Sequence, residues 1–139
     1  DNKQKLGNKL FRLCSLTDIE LSRVLVPITF VFKNKMKIVL VTPEIPFNTG
    51  SIGRTCVALD LELILIKPYG FSLDNKAVSR SGTRYWKDVQ LSEYDNWNHF
   101  LTQRSPTVDS LYFFEEHGSK SFYKPNYKKD DYLVFGSDS

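Results

Sequence analysis

Short apolar, β-branched runs recur along this chain, and stretches of helical spacing separate them. That alternation restricts the fold more than any other feature. The sequence predicts strands at 37–42, 62–66, about 88–91, 109–114 and 131–135. Between them it predicts a helix from Asn48 to Asp60, with Asn48 or Thr49 as N-cap, a short helix near 74–82, and a helix from Glu93 to about Gln103. Strands that alternate with helices imply a parallel α/β sheet. No internal repeat or low-complexity tract interrupts the pattern.

The two ends break it. The only methionine, Met36, stands directly before Lys37-Ile38-Val39-Leu40-Val41. Residues 1–35 therefore read as an appended segment and 36–139 as the domain. The alternative is a real N-terminal helix, because Leu10, Leu13, Leu16 and Leu21 give a patchy helical pattern. At the other end Asp131–Gly136 reads as a buried strand that leads into a glycine turn. A parallel sheet needs a covering helix after such a strand, so the domain is expected to be unfinished at Ser139.

Composition narrows the class without naming a partner. Of 139 residues 41% are apolar and 25% charged, which suits an ordinary globular domain. The net charge is +3, but residues 1–35 hold seven basic and three acidic residues, leaving twelve basic and thirteen acidic beyond. Bulk charge thus gives no case for nucleic acid, which must come from local motifs. Cys14 and Cys56 form no CxxC and have no His pair nearby, so neither a metal nor a disulfide framework is expected and a reducing cytoplasm fits. The longest apolar run, Val24–Phe32, is too short to span a bilayer.

The densest motif is Pro43–Arg54, on the loop that leaves the first predicted strand and enters the first helix. Ligands of open α/β sheets gather at the carboxyl ends of strands. The helix start offers free N–H groups, Gly50 and Gly53 permit close approach, and Arg54 supplies a planar cationic fork. On spacing alone a rigid turn with a surface arginine explains the same residues. A second loop, Lys67–Phe71, leads to Asp74, Lys76, Arg80, Gly82, Arg84, Tyr85 and Trp86. Cations interleaved with aromatics suit RNA, and core packing with a solvated helix suits them equally. His99 and His117 have no placed partner and are not expected to be catalytic.

Taken together, Pro-Glu-Ile-Pro-x-Asn-Thr-Gly-x-Ile-x-Arg at 43–54, Pro-x-Gly-Phe at 68–71, Asp-x-Lys at 74–76, Arg-x-Gly-x-x-Tyr at 80–85 and Asp-Tyr-Leu-x-Phe-Gly at 131–136 resemble the SPOUT (α/β-knot) methyltransferases. The branch they most resemble is the small tRNA (cytidine/uridine-2'-O-)-methyltransferases of the wobble nucleotide. The likeness covers about residues 36–139. It implies a parallel-sheet SPOUT fold, incomplete because the knot-closing segment is missing, so that methyl transfer is expected of a longer parent and not of this chain alone. It also implies S-adenosylmethionine as cofactor, tRNA as substrate, a cytoplasmic homodimer, and neither membrane nor metal. By the same resemblance Asn48 and Arg54 serve catalysis, Phe114 and Gly136 contact the cofactor, and Glu44, Arg80 and Tyr85 face the RNA. Asp138 stands where the family usually carries glutamate. The competing reading is a non-catalytic α/β module for RNA binding or dimerisation. A Rossmann protein is disfavoured, because no Gly-x-Gly-x-x-Gly follows the first strand.

Overall fold

The computed structural model of the chain describes residues 10–12, 36–44, 46–71, 83–115 and 130–136. Its strands are β1 (Leu10–Arg12), β2 (Lys37–Val41), β3 (Glu62–Ile66), β4 (Gln90–Tyr94), β5 (Leu111–Glu115) and β6 (Tyr132–Phe135). Two α-helices, α1 (Pro46–Ala58) and α2 (Trp97–Arg104), lie between strands, and 3-10 turns occupy Thr83–Asp88 and Val108–Ser110. The strands form one six-stranded sheet in the order β1-β5-β6-β2-β3-β4. Every pairing is parallel.

Burial on both faces explains why the central strands show unbroken apolar runs. Ile38 and Leu40 join Leu63, Leu65, Leu133, Phe135, Tyr112 and Phe114 on the face that also holds Ile52 and Cys56 of α1. Val39, Ile64, Ile66, Val134 and Tyr132 face the other way and pack with Phe100 of α2. Helices on both faces make a doubly wound sheet. The path runs β2, β3, β4 in one direction and then returns to place β5 and β6 on the other side of β2. The step from β5 to β6 then moves toward β2, so the carboxyl ends of β6 and β2 come to lie side by side at the rim where ligands of open α/β sheets gather.

Local boundaries differ from the sequence expectations for identifiable reasons. The first helix starts at Pro46, two residues before the expected Asn48. A proline is suited to the first helical position, because its missing N–H has no helical partner there. Asn48 and Thr49 are thus inside the first turn and are not caps. At its other end Leu61 N–H donates to the Cys56 carbonyl and Asp60 N–H to that of Val57. Asp60 carries a φ of 56° in this Schellman turn. Gly53 lets the turn at 83–88 press on α1, since a Cβ there would lie 2.5 Å from the Trp86 ring. Its close approach therefore serves protein packing.

The strand expected at 88–91 runs from Gln90 to Tyr94, so Glu93, the expected helix start, lies in the sheet. The second helix begins at Trp97, where the Asn96 side chain accepts from His99 N–H. The expected helix near 74–82 lies outside the described residues. Leu10–Arg12 belongs to the segment expected to stand apart, yet it pairs with β5, Leu10 opposite Phe113. Leu10 therefore sits in a strand and not in a helix.

A polar cluster ties α2 to the sheet. The Arg104 guanidinium donates to both carboxylate oxygens of Glu62, and to Tyr94 Oη and Ser92 Oγ. Ser92 Oγ donates to Glu62 at 2.6 Å. Burial raises the Glu62 pKa, but the bonds from Arg104 and Ser92, with the charges of Arg104 and Lys37, outweigh it and hold the carboxyl below its ordinary value. A depressed carboxyl stabilises the fold above its unfolded pKa, and that contribution is lost as pH falls through the folded pKa. Glu62→Gln should therefore cost about 1–2 kcal/mol at neutral pH in urea unfolding. The gap from wild type should narrow below the ordinary carboxylate range. A gap independent of pH would show that Glu62 acts through packing alone.

Candidate functional site

At the carboxyl rim of the sheet the ends of β2 and β6 lie side by side. Leu40 pairs with Phe135, and Gly136 follows beside Val41. Thr42 then leaves the sheet with a φ of 46°, a left-handed conformation that a β-branched residue rarely adopts. Its N–H still donates to the Ile66 carbonyl at 2.8 Å. The turn carries the chain through Pro43 and Glu44 to α1. Strain of this kind, costing about 1–3 kcal/mol, persists where the surroundings over-determine the backbone, and it gathers at ligand sites.

The start of α1 brings a partial positive charge to this rim, and no acidic residue occupies its first turn. Along α1 the buried residues are Thr49, Gly50, Ile52, Gly53 and Cys56. The exposed residues include Phe47 and Arg54. Asn48, in the first turn, is half-buried and has a partner of its own. Asn48 and Arg54 therefore share one rigid element, with Asn48 nearer the rim. An asparagine amide can donate and accept, and an arginine guanidinium can only donate. Together they could orient a hydroxyl or an oxyanion.

The other candidate residues divide. Glu44 is exposed on the loop before α1 and has a partner of its own. Gly136 is exposed, and a Cβ there would meet nothing within 4 Å. Phe114 does not present its ring to the rim. The side chain is 2% exposed and stacks on Phe135 at a centroid distance of 4.9 Å. Arg80 lies outside the described residues, as does the side chain of Tyr85, whose backbone sits in the turn at 83–88.

The second loop folds onto the protein. Tyr69 Oη donates to the Glu93 carboxylate. Burial first, and then that bond and the Glu93 charge, raise the tyrosine pKa well above its ordinary value. Tyr69 is therefore a neutral anchor. His99 Nδ1 accepts from the Asp95 N–H at 3.0 Å, which makes it part of the α2 start. Among the described residues no cluster of His, Cys, Asp or Glu could hold a metal, and no helix is long and apolar enough to cross a membrane.

Two features of this rim were not visible in the sequence. Nothing in Thr42-Pro43 announces a left-handed threonine. Thr49 was read only as a cap, yet it is 0% exposed and its Oγ1 has no hydrogen-bond partner among the described residues. It heads the buried residues of α1, at the end nearest the carboxyl ends of the strands.

A parallel, doubly wound sheet with this rim is the architecture of the α/β-knot methyltransferases. The profile of the SpoU rRNA Methylase family matches residues 35–139, and the chain belongs to that family. A relative from Polaromonas sp. (strain JS666), named tRNA (cytidine(34)-2'-O)-methyltransferase, is 36% identical over 102 residues, covering 73% of this chain and 62% of its own. A Mycoplasma pneumoniae relative is 37% identical, covering 78% of this chain and 68% of its own. A solved structure described by the 2-OH methylation of C/U34 on tRNA superposes with a TM-score of 0.67 at 36% identity, covering 75% of this chain and 68% of that one. The AdoMet-bound rRNA methyltransferase of Sinorhizobium meliloti shares the fold, with a TM-score of 0.65 at 19% identity, over 77% of this chain and 41% of that one. The chain thus spans between about two fifths and about two thirds of the proteins it matches. β1 lies outside the family match.

The orphan hydroxyl yields a direct test. A buried hydroxyl without a partner costs about 1–3 kcal/mol. Thr49→Val keeps the shape and removes that cost. The variant should be more stable than wild type by about 1 kcal/mol in thermal or urea unfolding without ligand. Lower stability would show that the hydroxyl already has a partner in the folded chain.

Proposed function

We propose that this protein transfers a methyl group from S-adenosylmethionine to a ribose 2'-hydroxyl of tRNA, at the anticodon wobble nucleotide. The observation that carries this function is the joint presence of Asn48 and Arg54 on α1, a helix that starts at the carboxyl rim between β2 and β6. Family membership and the names of the relatives support the reaction class. The homodimer and the cytoplasmic setting belong to the same proposal.

S-adenosylmethionine supplies an activated methyl group when bound. Two observations fit such a ligand: Gly136 leaves open space beside the β2 end, and the left-handed Thr42 turns the chain away at the same rim. In this proposal Asn48 and Arg54 hold the ribose. Arg54 directs donors at the 2'-oxygen and stabilises the charge that develops there as the hydroxyl proton passes to solvent. A guanidinium keeps its own proton firmly, so the arginine acts chiefly by orientation and electrostatics. Glu44, Arg80 and Tyr85 complete the proposed contacts to RNA.

Because Arg54 acts on the transition state, Arg54→Ala should lower methyl transfer to tRNA by roughly two orders of magnitude. Affinity for S-adenosylmethionine should stay near wild type in calorimetry. Arg54→Lys should not restore the rate, since an ammonium lacks the planar fork. An alanine variant that keeps more than about half the wild-type rate would show that Arg54 is only a surface residue of α1 and takes no part in the transfer.

A further inference from the structure

Phe47 is out of place for a residue that serves only the fold. Among the described residues the exposed large apolar side chains are Phe47, at 55%, and Val108, at 59%. Val108 enters the amino end of β5, whereas Phe47 stands in the first turn of α1 at the carboxyl rim. The two lie at opposite ends of the sheet and make no joint patch. A stable contact with another protein buries about 800 Å² on each side, and one exposed ring beside Ser51 and Arg54 does not by itself supply that surface. A single flat aromatic face matches one nucleobase instead.

Helical geometry sets what the ring can reach. Residues 47, 51 and 54 are spaced i, i+4 and i+7 and so share one stripe, with Phe47 and Arg54 about 10 Å apart along the axis. The buried Thr49, Ile52, Gly53 and Cys56 occupy a different face. Phe47 therefore cannot turn into the core without unwinding α1. Its neighbours on the exposed side are Ser51, half-buried, and the cationic Arg54, exposed. An aromatic face followed by a cation along one helix suits a base and the ribose next to it, because the ring takes the base by stacking and the cation donates to the sugar oxygen.

Building on the function proposed above, we propose that the Phe47 ring is a stacking platform for a base adjacent to the target nucleotide, seating the RNA while Asn48 and Arg54 face the target ribose. Phe47 then governs RNA affinity and register and takes no part in bond making. The ring recognises any base face, so it adds little preference for one base over another.

The test uses the full chain and an anticodon stem-loop RNA that carries 2-aminopurine at each position flanking the wobble nucleotide in turn. Stacking on a protein ring changes the fluorescence of that base, so wild type should alter the signal at one flanking position. Phe47→Leu, which keeps bulk and apolarity but removes the aromatic face, should lose that change. It should also weaken RNA binding roughly 5- to 150-fold, the equivalent of one lost stack. Phe47→Trp should retain both. Circular dichroism of the leucine variant should match wild type, because the ring contributes little to the core. If Phe47→Leu leaves fluorescence and affinity unchanged while wild type binds the RNA, the platform is overturned and the methyltransferase function stands. If Phe47→Leu instead dissociates a dimer in sedimentation, the ring is a contact between copies and the platform is again overturned. If wild type fails to bind the RNA at all, the proposed function falls with it.

Discussion

Everything at the functional rim depends on the two-sided burial of three neighbouring strands. β2 is hydrogen-bonded to β3 on one edge and to β6 on the other, in parallel on both sides. Its residues alternate between two apolar cores, Ile38 and Leu40 toward α1, Val39 toward α2. A parallel strand can be followed by another only if the chain crosses back over a face. Strand carboxyl ends therefore collect on one rim and amino ends on the other. The carboxyl ends of β2 and β6 are neighbours on that rim, where ligands of such sheets gather. That juxtaposition is a consequence of topology before any catalytic residue is considered.

The two rims are finished differently. At the amino rim the chain's charges answer one another: Lys37 lies 4.0 Å from Asp130, Gln90 donates to Asp60 at 2.8 Å, and Arg104 clamps Glu62. Those contacts stabilise the fold and leave little for a ligand. At the carboxyl rim the chain holds a left-handed threonine, a helix start with no acid in its first turn, a buried hydroxyl without a described partner and an exposed aromatic ring. Each carries a cost in folding, and a ligand could offset each of them. Contrast between the rims, more than any one residue, marks where chemistry belongs.

Much of this was legible in the sequence, because the strongest signals were local. Glu62–Ile66, apolar and alternately β-branched after its first residue, forms β3 with those bounds. The motif at 43–54 pointed to a loop feeding a helix at a strand end, and that is where it lies. β4 was misplaced because Gln-Leu-Ser-Glu-Tyr has the composition of a helix and becomes a strand only through pairing with β3. β1 escaped notice because three residues cannot display a period. Phe114 was expected at the cofactor, and the family pattern does suit that position. Its ring is nevertheless committed to Phe135, which only the register between β5 and β6 reveals. The orphan Thr49 hydroxyl and the left-handed Thr42 are properties of tertiary packing, and no pattern of residue types encodes them.

The central claim is that cofactor and RNA meet at the carboxyl rim between β2 and β6. Amide hydrogen exchange, followed by mass spectrometry with and without S-adenosylmethionine and an anticodon stem-loop RNA, tests it most directly. Protection on ligand addition should concentrate at residues 41–44, in the first turn of α1 and around Gly136. Residues near Glu62, Gln90 and Arg104, at the amino rim and its clamp, should exchange as before. Protection confined to the amino rim, with 41–50 and 136 unaffected, would contradict the account.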